Sequence, residues 1–237
     1  MTTVKAPDAA EVLAVLGQRD AGPPVAGTAA AVARIAGGEV RPLRLAADLG
    51  SRRAAAQVLR ALHQPGILTA VLAGDEVSRP LWQRVAQQSD KPLVLVPAAA
   101  GRRPSEIRKI LLPLDGTAPS AAAVAPIAER LARGGAELVV LHVFDVDTVP
   151  KFWDQQAHAG QAWTEEFLAR YCSVPGARLE LRRGAAAEHV VRVAGAQQAD
   201  MIALAWSQQL DRGRARVVLR TVLESEVPVI LVPILVR

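Results

Sequence analysis

The stretch Asp115-Gly116-Thr117-Ala118-Pro119-Ser120 sets a carboxylate and two hydroxyls side by side, directly after an apolar run. A carboxylate at a strand end can accept hydrogen bonds from a ribose or a base, and Thr117 and Ser120 can donate to a phosphate or cap the following helix. The same residues also make a tight Asp-Gly turn with a plain serine cap, and both readings stay open here. A second loop, 205–216, carries Arg212, Arg214 and Arg216 next to a helix start. Backbone N–H groups and guanidinium groups there could hold an anion, or the loop is simply a solvated basic surface.

Other chemistries find little support. The four histidines, His63, His142, His158 and His189, show no metal-ligand spacing, and no HExxH occurs. There is no G-x-S-x-G elbow and no Walker A loop. The single cysteine, Cys172, excludes an internal disulfide and reads as a small buried residue. Phe152, Trp153, Trp163 and Phe167 gather in one segment, as a packed cap over a sheet edge or as a lid for a ligand or partner. The net charge is +5 over 237 residues, but only four of the 28 basic residues are lysine and aromatics make up 3%. A nucleic-acid face should cluster its basic groups and interleave aromatics, so a solvated basic surface is expected and no nucleic-acid partner. The longest apolar run, 227–236, is ten residues with two prolines. A spanning helix needs about 20, so no membrane segment is expected, and the chain reads as cytoplasmic.

The elements that position these loops repeat. KPLVLVP at 91–97 returns as VPVILVP at 227–233, an offset of 136, while VLAVL at 12–16 returns as ILLPL at 110–114, an offset of 98. The two offsets differ by 38 residues, which fits an insertion across 145–183 of the second half. Two homologous units follow, 1–100 and 101–237. Apolar runs bounded by turn residues predict strands at 12–16, 41–45, 68–72 and 93–96, then at 108–114, 137–144, 178–181, 201–205 and 229–232. Helical spacing predicts helices at 26–36, 51–63 and 78–88, then at 120–133, 156–171, 185–197 and 215–225. Pro126 should kink helix 120–133 or delay its start. Strand–helix alternation of this kind means parallel sheet with helices on both faces.

Taken in order, ILLPLDGTAPS at 110–120, LVVLHV at 138–143, ADMIAL at 199–204 and VPVILVP at 227–233 resemble a universal stress protein domain. The first half resembles a shortened, degenerate copy, so the whole is similar to tandem universal stress proteins. The resemblance implies an α/β fold of two tandem Rossmann-like domains of the adenine-nucleotide alpha-hydrolase type. The C-terminal half would hold a parallel five-stranded sheet in the order 3-2-1-4-5, the N-terminal half a reduced four-stranded one. It also implies pairing through the last strands, 93–96 and 229–232, as a pseudo-dimer within the chain. An apolar last strand needs such cover, and a homodimer or another protein partner is the alternative.

Family members that bind ATP carry G-x-x-G and, further on, G-S or G-T, because glycine lets backbone N–H groups approach phosphates closely. Here those positions are Ala205 and Gln208, then 218–220 with Thr221 as the nearest hydroxyl, and Trp206 adds bulk. Asp115 matches the family's adenosine-side aspartate, and Val143 the strand-end position near the base. The site set that the resemblance implies is Asp115, Gly116, Thr117, Val143, Ser207, Arg214 and Thr221. In the first half Gly17 stands at the aspartate position, and Asp75 and Glu76 disfavour phosphate. The expected function is a regulatory or binding protein of the stress response, non-catalytic and without cofactor. The alternative is a nucleotide-binding protein holding ATP or AMP through Asp115 and the arginine loop, with slow hydrolysis.

Overall fold

The computed structural model describes residues 10–17, 22–100, 106–144, 157–209 and 213–235. In the first half, β1 (Ala10–Leu16), α1 (Gly22–Ala36), β2 (Gly38–Arg44), α2 (Ser51–Leu62), β3 (Ile67–Ala73), α3 (Arg79–Gln88) and β4 (Leu93–Val96) follow one another. The second half adds β5 (Lys109–Pro113), α4 (Ala118–Arg133), β6 (Glu137–Phe144), α5 (Ala157–Tyr171), β7 (Arg178–Arg183), α6 (Ala186–Ala196), β8 (Met201–Trp206), α7 (Gly213–Glu224) and β9 (Val229–Pro233).

All the strands lie in one sheet, in the order β2-β1-β3-β4-β9-β8-β5-β6-β7. Counted within the second half, β7-β6-β5-β8-β9 is the expected order 3-2-1-4-5, and β2-β1-β3-β4 is the same order without its third strand. The two parallel sets join into one mixed sheet through their last strands, as the expected pairing of 93–96 with 229–232 implies. The merger runs through β4 and β9, which pair antiparallel with Leu93 opposite Leu231, Val94 opposite Ile230 and Leu95 opposite Val229. Every residue of both strands is buried. Strands this apolar on both faces cannot lie at a solvated edge, and each half covers the other's.

Alternation along the strands feeds two cores. Leu13, Val15, Leu72, Leu95, Leu204 and Leu231 face the side covered by α2, α3, α6 and α7. Val12, Ala14, Val71, Val94, Ala203 and Ile230 face the side of α1, α4 and α5. Each of the valine, leucine and isoleucine side chains among them stabilises by about 1.5–3 kcal/mol when fully buried.

The two outer strands read differently. β2 carries Pro42 and two arginines, and in β7 Leu179 and Leu181 alternate with the charged Arg178, Glu180 and Arg182. Proline and charge are tolerated at edges and discourage further pairing. β2 also begins three residues before the expected 41, because Gly38 to Val40 extend the ladder on β1. Pro126 neither ends nor delays α4, which starts at Ala118 with Pro119 in its first turn.

Candidate functional site

At the centre of the second half the chain turns outward in both directions, from β5 to β6 on one side and from β5 to β8 on the other. In open α/β sheets a crevice forms at such a switch point, beyond the carboxyl ends of the strands. A cavity of ≈ 170 Å³ occupies it here. Its walls are the strand ends, Leu114, Leu141, Val143, Leu204 and Ala205, and the faces of α6 and α7, Val190, Val217 and Val218. Asp115 and Ser120 supply its polar rim.

Asp115 organises that rim. Its Oδ1 accepts from the Thr117 backbone N–H at 3.0 Å and from the Thr117 hydroxyl at 2.7 Å. Its Oδ2 accepts from the Ser120 hydroxyl at 3.1 Å, and the Thr117 and Ser120 oxygens lie 3.0 Å apart. The carboxylate therefore builds an Asx turn and ties down the start of α4. The turn reading is realised in the geometry, while the exposed carboxylate still stands at the cavity mouth. Gly116 has φ +75°, which glycine adopts without strain, and an added Cβ would sit 3.4 Å from the His142 ring and 3.6 Å from Phe167.

The remaining sequence-derived residues scatter. Val143 lines the cavity with Asp115. Ser207 is half-buried just beyond β8 and is not among the cavity-lining residues. Thr221 is fully buried on α7, away from the cavity, and its hydroxyl has no hydrogen-bond partner among the described residues. Arg212 and the Arg214 side chain lie outside the described residues, and Arg216 is exposed on α7. Phe152 and Trp153 also lie outside them. Among the described residues no group of His, Cys, Asp or Glu could hold a metal ion, and no helix is long and apolar enough to cross a membrane.

The two residues that displace the expected glycine loop do not fill the crevice. Trp206 is 2% exposed, and its indole N–H donates to the Ala86 carbonyl of α3 at 3.1 Å. The Gln208 amide donates to the Ser89 carbonyl at 2.6 Å, from a backbone with φ 62°. Both reach across to the first half, so this loop clasps the two halves together.

The first half repeats the local geometry with one decisive change. Ser89 donates to the Lys91 carbonyl at 2.8 Å and accepts the Lys91 N–H at 3.0 Å; Ser225 does the same with Val227 at 2.7 and 3.1 Å. This fixes the offset of 136 between α3 and α7. Trp82 is then the counterpart of Val218. Val218 lines the cavity of the second half, whereas Trp82 is fully buried in the core.

A second concavity lies where the sequence offers Trp163 and Phe167 as a packed cap or a lid. An open groove of ≈ 530 Å³ lies on the other side of Asp115 and Val143, which line both. Trp163, Phe167 and Tyr171 of α5 stand one helical turn apart, with successive ring centroids 4.9 and 4.8 Å apart. His142 of β6 packs 4.8 Å from Phe167 and 4.7 Å from Phe144. Its Nδ1 lies 2.8 Å from the Leu114 carbonyl. Burial lowers the His142 pKa below its ordinary value, against the opposing pull of that carbonyl and of Asp115. The four-residue spacing of 163, 167 and 171 was the available signal.

Residues 106–233 match the description "Universal stress protein family". No curated protein matches the chain. Among solved structures, a universal stress protein from Archaeoglobus fulgidus DSM 4304 is 13% identical over 94% of this chain and 96% of that one, with a TM-score of 0.64. A functionally unknown protein from Pseudomonas aeruginosa PAO1 is 14% identical over 95% and 92%, also at 0.64. The universal stress protein from Archaeoglobus fulgidus in complex with dAMP aligns with 53% of this chain and 97% of its own, at 19% identity and a TM-score of 0.36.

Proposed function

Because the chain belongs to the universal stress protein family, we propose that it is a non-catalytic regulatory protein of the stress response whose second half holds the nucleoside end of an adenine nucleotide without cradling its phosphates. The division into units 1–100 and 101–237 is part of the same proposal. The observation that carries the reading is the division of labour around the crevice. The cavity is aliphatic and suits a planar base, and Asp115 at its mouth suits a ribose hydroxyl. The loop beside it has no glycine at the cradle positions, and its Trp206 and Gln208 are committed to the first half. A phosphate cradle needs backbone N–H groups turned toward the ligand, and a loop pinned outward offers few.

Calorimetric and thermal-shift titrations with AMP, ADP and ATP, with and without magnesium, test this. The three nucleotides should bind within about threefold of one another. At 100 times its dissociation constant each should stabilise by about 2.7 kcal/mol. Asp115→Ala should abolish the shift. ATP binding tenfold tighter than AMP would overturn the reading and direct attention to Arg214 and Arg216. No shift with any nucleotide would leave a module that acts through protein partners alone.

A further inference from the structure

The groove between α5 and the β5–α4 loop has more structure than a packed cap requires. Phe144 and Phe167 are buried beneath it, whereas Trp163 and Tyr171 are half-buried and line an open space of ≈ 530 Å³. That volume falls within the range of small-molecule sites, about 300–1,000 Å³. Its polar rim is rich in acceptors. Asp115 and Glu166 bring carboxylates, and Arg170 is the single cation that lines it among the described residues. His142 lines the groove as well. A carbonyl can only accept, so the His142 Nδ1 must donate its hydrogen to Leu114, and the neutral ring then keeps a lone pair on Nε2.

We infer that this groove is a second, separate binding site, for a planar heteroaromatic ring carrying an amino group. Trp163 and Tyr171, half-buried in its wall, offer aromatic contact to a flat ring, with Arg170 lying over the Tyr171 ring at 5.4 Å. An acceptor-rich rim favours a ring that donates, as an exocyclic amine does, over one that presents a carbonyl at the same place. The two concavities share Asp115 and Val143, so the inference rests on the residues that line the groove alone, Glu166 and the rings of α5, and not on nucleotide binding in the crevice.

Adenosine and 1-methylinosine are the probes: the second presents a carbonyl at the exocyclic position and has no N1–H to donate in its place. Val218→Trp fills the crevice with the residue that stands at the counterpart position, Trp82, and so removes binding there. Val190→Phe serves as a second plug if the first does not fold. In the plugged full-length protein, the Trp163 indole N–H resonance, assigned by its loss in Trp163→Phe, is followed during titration. Adenosine should move it with a dissociation constant at least tenfold below that of 1-methylinosine. Tyr171→Ala should weaken adenosine, and Glu166→Gln should narrow the gap between the two probes. An unmoved Trp163 resonance, equal affinities, or a shift that vanishes when the crevice is plugged would each overturn the inference.

Discussion

Asp115 holds the β5–α4 turn and, on the function proposed above, would also hold a ribose; the two roles separate experimentally. Its contacts with Thr117 and Ser120 are structural, so Asp115→Ala should destabilise the unliganded protein by about 1–2 kcal/mol, as loss of a helix cap does. Asp115→Asn keeps an oxygen for the turn; it should recover most of that loss in a urea melt while still weakening nucleotide binding. His142 carries a different prediction. Its folded pKa lies below its unfolded value because burial disfavours the imidazolium. The unfolded chain therefore binds more protons, and stability must fall as pH drops from about 6.5 toward the depressed folded pKa. His142→Gln should flatten that slope in urea melts between pH 7.5 and 5. A slope unchanged by the substitution would place the titrating group elsewhere. Asp200 was visible in the sequence only as part of a family pattern. The structure gives it a plain role: its Oδ2 accepts the backbone N–H groups of Arg108 and Lys109 at 2.8 and 2.9 Å, which ties the start of β5 to β8.

Between elements, single contacts set how closely the halves approach. Trp206→Phe removes the donor to the Ala86 carbonyl and leaves a buried acceptor unpaired. That should cost about 1–3 kcal/mol, more than Gln208→Ala, whose partner is only part-buried. Gly134 has an ordinary helical φ of −74°, yet a methyl there would overlap the Ile35 carbonyl oxygen of α1. Gly134→Ala should therefore destabilise, although alanine is the better helix former, and differential scanning calorimetry would read it as a lowered Tm. Most elements were legible because strand and helix periods are local properties of the chain. Strands 93–96 and 229–232 were recognisable from their unbroken apolar runs. The clasp was not legible: nothing near Trp206 or Gln208 in sequence announces Ala86 or Ser89, more than a hundred residues away. The glycine pattern showed which residues had replaced the phosphate cradle, but not which way they point. Thr221 was an inference from chain position, and the helix turns it into the core.

At the scale of the molecule, the seam between β4 and β9 decides what can associate with what. Each of these strands has a neighbour on both sides, so neither is open to a second chain. The outer strands β2 and β7 are guarded by proline and charge. Residues 101–237 expressed alone would expose β9, and light scattering should find them as a dimer or as aggregate. Ile230→Lys in the whole chain should disrupt the seam and lower stability far more than a charge on β7 does. The seam also bears on descent. In a dimer of identical chains every substitution is written twice, once on each side of the axis, and must suit both. Joining the copies in one polypeptide ends that constraint. Here Trp82 answers Val218, and Gly74 stands in the ladder where Trp206 stands in the other half. The first half is filled where the second is hollow. Inheritance in a single gene lets such partners diverge without ever drifting apart in supply.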